Sequence, residues 1–88
     1  MHEAQNVLSD KLKRAATEVR IGGIYSHYKR PTETYRVVNL AVTESDDEVC
    51  VVYEAQYGER LMFVRPLTSW LDTVERDGVP VDRFTLLE

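Results

Sequence analysis

The chain has 88 residues, of which 43% are hydrophobic and 30% charged, and its formal net charge is −4. That length excludes two ordinary domains, which run to roughly 100–200 residues each, and the composition excludes disorder throughout. The acidic balance, Lys+Arg 11 against Asp+Glu 15, excludes broad non-specific nucleic-acid binding, which needs a basic footprint.

Residues 3–20 read as one helix. Ala4, Val7, Leu8, Leu12, Ala15, Ala16 and Val19 recur at steps of three and four and so share a face. Lys11, Lys13, Arg14 and Arg20 fall toward its end, the favourable sense for the helix dipole. Gly22-Gly23 then breaks it. Residues 1–20 are thus expected as an amphipathic helix preceding a domain at 21–88.

From residue 24 the period changes to two. Ile24–Lys29 is a short strand, and Arg30–Thr34 is expected as a turn because Pro31 cannot donate to a ladder. Tyr35–Val42 is a second strand, rich in β-branched residues. Thr43–Asp47 is a charged loop whose acids, Asp46 and Asp47 among them, should face water. Glu48–Tyr57 is a third strand, Gly58-Glu59 a two-residue hairpin turn, and Arg60–Arg65 a fourth strand stopped by Pro66. Leu67, Trp70, Leu71 and Val74 have helical spacing, so a short helix follows. Asp77-Gly78 ends it, and Val79–Leu87 alternates enough for a last edge strand. The fold expected is mainly β with helices: a small curled sheet or partly open β barrel.

The two-residue turn predicts a register. Tyr57 faces Arg60, Ala55 faces Met62 and Tyr53 faces Val64, on the core face. Gln56 with Leu61, Glu54 with Phe63, and Val52 with Arg65 occupy the other face. That second face suits a ligand or peptide. More simply, it suits the N-terminal helix lying across Leu61, Phe63 and Val52, with Glu54–Arg65 as an ion pair at its edge.

The segments Tyr25-Ser-His27-Tyr28-Lys29, Tyr35-Arg36-Val37, Val51–Gly58 and Phe63–Leu67, in this order and spacing, resemble the bacterial domain-of-unknown-function family numbered 1653. The resemblance covers residues 21–76 and implies a small SH3-like β barrel. It implies no activity. Two positions depart from the pattern: Arg30 stands where many relatives carry Gly, and Thr43 where many carry His.

Candidate site residues centre on His27. Alternation puts Tyr25, His27 and Lys29 on one strand face, where a phenol, an imidazole and an amine suit an anion or a planar ligand. The competing reading packs Tyr25 in the core and leaves His27 and Lys29 at the rim. Arg36 and Arg65 add guanidinium forks that match oxyanions, as does Arg60. Phe63 joins this surface if the helix leaves it free. The five tyrosines also allow a cage for a cation, with Glu54 assisting.

Other chemistry finds little support. No P-loop, GxGxxG or HExxH motif occurs. His2, His27 and Cys50 lie far apart, so no metal site and no cofactor is implied. Cys50, the only cysteine, reads as an inert packing residue in mid-strand, and Trp70 as core. No segment approaches the roughly 20 apolar residues needed to span a bilayer, and no secretory signal is visible, so a cytoplasmic location is expected.

The function expected is a non-catalytic module that binds a small ligand or a protein through Tyr25, His27, Lys29, Arg36, Phe63 and Arg65. Nucleic acid is a lesser possibility as a partner. Two alternatives stand beside it. One is a small enzyme or accessory domain for nucleotide-related chemistry, with His27 as acid or base. The other is a structural subunit that dimerises through residues 4–19.

Overall fold

The computed structural model describes residues 4–88. Helix α1 spans Gln5–Ala15; strands β1 (Ile24–His27), β2 (Arg30–Val42), β3 (Val49–Ala55) and β4 (Met62–Pro66) follow. A single-turn helix α2 (Leu67–Trp70) leads to β5 (Thr73–Arg76), β6 (Val79–Asp82) and β7 (Phe84–Leu86). Five strands form an antiparallel sheet in the order β4-β3-β2-β1-β7; β5 and β6 form a separate hairpin. The sheet does not close, so β4 and β7 are its edges, and the expectation of a mainly β, partly open fold holds.

Helix α1 is shorter than the apolar periodicity suggested. Ala16 still has helical geometry, but the Thr17 hydroxyl donates to the Arg14 carbonyl at 2.6 Å, a local bond that competes with continuation of the helix. The predicted positions before Ala4 lie outside the described residues. Ala15 and Val19 nonetheless enter the core, with Leu12 packed against them. The apolar face of α1 therefore packs within its own chain, against β2 and β3, and does not lie across Leu61 and Phe63.

The core comprises Ala15, Val19, Tyr25, Val37, Leu40, Val51, Tyr53, Trp70 and Phe84. Val37 and Val51 are wholly buried, at 0% exposure. Leu40 joins them because β2 bulges at Val38: Val37 pairs with Tyr53 and Asn39 with Val52. The extra residue shifts the inward face from odd to even positions and leaves Val38 in solvent.

Three further local expectations are corrected. The turn between β1 and β2 is Tyr28-Lys29, not Arg30–Thr34. His27 pairs with Arg30 and Ser26 with Thr34, so Pro31, Thr32 and Glu33 bulge from the ladder. A proline is tolerated there because no ladder donor is required. The helix after Pro66 stops at Trp70, since Val74 belongs to β5, and the last apolar tail splits into β6 and β7. Asp77 and Gly78 have φ of 54° and 80°, the paired left-handed geometry of a tight hairpin turn between β5 and β6. Asp47, expected to be solvated, is buried; its backbone N–H donates to the Thr43 carbonyl at 2.9 Å and its φ of 56° is left-handed.

The most consequential correction concerns the hairpin between β3 and β4. Its loop is longer than Gly58-Glu59: Ala55 N–H donates to the Leu61 carbonyl, and Gly58 and Arg60 both take positive φ, 58° and 57°. Tyr53 therefore pairs with Phe63 and Val51 with Arg65. A slip of one residue moves every side chain of the strand to the other face. Phe63 and Arg65 lie with Tyr53 on the concave side, while Met62 and Val64 project from the outer face, exposed. The predicted Glu54–Arg65 pair does not form. Glu54 accepts instead from Gln56 Nε2 at 2.9 Å.

Candidate functional site

The concave side of the sheet carries a cluster of rings. Phe84, opposite His27 in the β1–β7 register, stacks on Trp70 at 3.8 Å with an interplanar angle of 5°. Tyr53 meets Trp70, Phe84 and Tyr35 edge to face at 5.0, 5.9 and 5.5 Å. The His27 ring stands edge-on to Phe84 at 5.0 Å. Such contacts fix the rings against one another.

At the margin of this cluster lies a cavity of about 240 Å³. Its walls are His27 from β1, Lys29 from the turn, Arg30, Glu33 and Tyr35 from β2, Tyr53 from β3, Tyr57, Arg65 from β4 and Phe84 from β7. Three cations face one carboxylate. Since the rings are packed on one another, they offer the cavity mainly hydroxyls. Tyr35 and Tyr57 hydrogen-bond through their hydroxyls at 2.7 Å. Burial, that bond and the nearby Glu33 charge push the Tyr35 phenol well above its ordinary value, so it stays protonated.

Arg65 is the best-positioned charge. Its Nη1 donates to Ser69 Oγ at 3.0 Å, its Nε approaches the Tyr53 hydroxyl at 3.5 Å, and its guanidinium lies over Phe84 at 5.3 Å. Among the described residues no carboxylate pairs with it; Arg30–Glu33 and Arg83–Asp72 are ion pairs that do not include it. Two of its five N–H donors are engaged, which leaves the remainder of the fork available.

His27 is held in one tautomer. Lys29 N–H donates to its Nδ1 at 3.2 Å, so the neutral ring carries its proton on Nε2. Burial and then the charges of Arg65, Arg83 and Lys29 hold the imidazole below its ordinary value. The neutral ring is a hydrogen-bond donor at its free nitrogen.

The expected site residues divide. His27, Lys29 and Arg65 come together at the cavity. Phe63 stands beside it, stacked on Tyr53 at 5.7 Å. Tyr25 does not belong: it is a core residue, edge-on to Trp70 at 5.2 Å, and its hydroxyl accepts from Arg20 N–H at 2.8 Å. Arg36 does not belong either; its Nη1 donates to the Gly22 carbonyl at 3.0 Å. Arg60 donates to Gln56, so the three guanidinium groups do not converge. Tyr35, Tyr53, Tyr57, Glu33 and Phe84 were not among the expected set. The tyrosine count pointed toward three of them, but Glu33 becomes visible only once the β2 bulge is known.

Other features carry less. A hollow of about 320 Å³ lies between α1 and the Thr43–Val49 loop, where Lys11 and Arg14 face Glu18, Asp46, Asp47 and Glu48. Lys11 and Asp47 both have interaction partners. Cys50 is buried, and burial with the Asp46 and Glu48 charges raises its thiol, which keeps it in the unreactive form. Among the described residues no group of three or more His, Cys, Asp or Glu is placed to hold a metal ion. No helix among them is long and apolar enough to cross a membrane.

The class defined by these features is a small, open-sheet β domain with a basic, hydroxyl-lined cavity. Residues 23–86 match the family described as Protein of unknown function (DUF1653), and the chain belongs to that family. A crystal structure of a protein belonging to DUF1653 from Bordetella bronchiseptica superposes with a TM-score of 0.70 and is 34% identical, covering 81% of this chain and 90% of that chain. No curated protein matches the chain significantly. The match extends past the segment expected from the sequence and takes in Phe84.

Proposed function

We propose that this protein is a non-catalytic binding module whose cavity takes a small ligand bearing an oxyanion. One observation carries the reading: Arg65, half-buried in the cavity wall, is held in place by Ser69, Tyr53 and Phe84 and has no carboxylate partner among the described residues. An uncompensated charge in such surroundings costs stability unless a counter-charge joins it. Carboxylate and phosphate oxygens match the guanidinium fork. Lys29 and the His27 Nε2–H add donors on the same wall.

The enzymatic alternative draws less support. A general base needs a free lone pair, and the His27 Nδ1 lone pair is taken by Lys29 N–H. No side chain among the described residues hydrogen-bonds to His27. The dimer reading is weakened because Leu12, Ala15 and Val19 already pack within their own chain.

The test is titration of the protein with inorganic phosphate and with sulfate, followed by amide and side-chain NMR shifts. Shifts should centre on His27, Lys29 and Arg65 and should be lost in Arg65→Ala. Equal shifts in the variant, or shifts scattered over the surface, would overturn the proposal.

A further inference from the structure

Glu33 adds a second requirement to the same cavity, one that a simple oxyanion does not meet. Its Oε2 is shielded from solvent and accepts no hydrogen bond. Arg30 Nη1 approaches it at 3.6 Å, beyond hydrogen-bond range, and the Arg30 side chain is itself 75% exposed. A shielded carboxylate oxygen without a donor is costly and calls for a reason; the Glu33 side chain as a whole keeps 31% exposure and lines the cavity, where a ligand can reach it. Glu33 is brought to the wall by the Pro31–Glu33 bulge, and bulges commonly re-aim a side chain beside a site. Its charge is felt at the Tyr35 phenol. The cavity thus holds an unpaired guanidinium and an under-satisfied carboxylate.

Its volume limits the occupant. About 240 Å³ lies below the roughly 300–1,000 Å³ of drug-sized pockets. Stacking is a poor mode here, because Phe84 already stacks on Trp70 and Tyr35 and Tyr53 are packed edge to face. Polar groups must therefore supply recognition. In the Tyr35–Tyr57 pair one hydroxyl donates to the other, so the acceptor's own proton remains available to a ligand.

We propose that the ligand is a compact bipolar molecule, with an oxyanion on Arg65 and an ammonium or other N–H donor on Glu33. This inference rests on the oxyanion reading above and adds the donor end. The two charges of the ligand then complement Arg65, which has no carboxylate partner among the described residues, and Glu33, whose ion pair with Arg30 lies beyond hydrogen-bond range. A donor bonded to a carboxylate is a charge-assisted contact, so it adds roughly tenfold or more in affinity.

Two pairs of probes with equal numbers of heavy atoms test it: O-phosphoethanolamine against propyl phosphate, and β-alanine against butyrate. Each pair differs by an ammonium in place of a methyl, and the two pairs separate a phosphate ligand from a carboxylate one. Affinities are measured by calorimetry or NMR titration on the full chain. The ammonium-bearing member of at least one pair should bind about tenfold tighter, and that gain should vanish in Glu33→Gln. If oxyanions bind but both members of each pair bind alike, the donor inference fails and the oxyanion reading stands. If none of the four probes binds, both fail. A preference for the ammonium that persists in Glu33→Gln also overturns the assignment to Glu33.

Discussion

Arg65 and Phe84 lie on the two edge strands of an open sheet, β4 and β7, yet the guanidinium sits over the ring at 5.3 Å. Three strands separate them in the hydrogen-bonded order. The sheet therefore curls until its edges approach across the aromatic cluster, and the cavity forms at that approach.

Arg65 should matter more for binding than for stability. In Arg65→Met the aliphatic stem is kept and the uncompensated charge is removed. Unfolding by denaturant is expected to stay within about 1 kcal/mol of the parent, because replacing an unpaired half-buried charge by an apolar group is close to neutral. Phosphate affinity in the same variant should fall roughly tenfold or more, the value of a charge-assisted hydrogen bond. A variant that unfolds with large loss of stability would show Arg65 to be a structural strut instead.

The wholly buried valines set the stability of the domain. Val37→Ala and Val51→Ala each remove buried methyl groups and leave a void between the sheet and α1 or α2. A loss of about 2–3 kcal/mol is expected for each, measured by chemical unfolding. Val64→Ala on the exposed outer face of β4 is the control, and its cost should stay within about 0.5 kcal/mol.

Gly23 is held by a close approach. A Cβ there would lie 2.9 Å from Leu86 Cδ1 and 3.0 Å from the Arg20 carbonyl oxygen. The Leu86 side chain can shift, but the Arg20 backbone is fixed by its bond from Gly23 N–H at 3.0 Å. Gly23→Ala should destabilise by about 1–3 kcal/mol, the usual cost of overpacking. Gly58→Ala gives the contrasting case: open space surrounds the position, so only its positive φ of 58° costs stability, at about 1–2 kcal/mol.

The His27 environment predicts a pH dependence with a definite sign. Burial and the charges of Arg65, Arg83 and Lys29 lower its folded-state value below the ordinary 6.5. Between the two values the unfolded chain binds more protons, so stability rises with pH across that window. The contribution is fully present above about pH 6.5 and is lost as pH falls toward the folded value. Stability of the parent relative to His27→Gln should therefore decline from about pH 7 to about pH 5. A difference that stays flat would show that the imidazole is unperturbed. Sulfate, whose charge is constant over this range, should bind more tightly as pH falls, since its charge favours the imidazolium.

Much of the fold was legible in the chain itself. Alternation from Ile24 onward, β-branched runs at Val37-Val38 and Val51-Val52, and breaks at Gly22-Gly23 and Pro66 determine an N-terminal helix, a mainly β body and a short second helix. These are local signals, set by side-chain period and backbone preference. The paired segments around His27 and Tyr53 also carried the family.

Where the strands meet one another was a tertiary decision. The two-residue turn at Gly58-Glu59 and the actual loop differ by one residue of register, and that residue decides whether Arg65 faces Glu54 or Tyr53. The bulges at Val38 and at Pro31–Glu33 have no local mark that fixes their position; they follow from burying Leu40 and from the tight Tyr28-Lys29 turn. Of the candidate set, His27, Lys29 and Arg65 line the cavity; strand alternation grouped the first two and guanidinium chemistry named the third. Tyr25 and Arg36 were lost to the core and to the Gly22 carbonyl, and Glu33 was gained. The 88 residues and their net charge of −4 determine one small acidic domain. Only the curl of the sheet, driven by burial of Tyr53, Trp70 and Phe84 together, gathers bases from β1, β2 and β4 around a cavity in it.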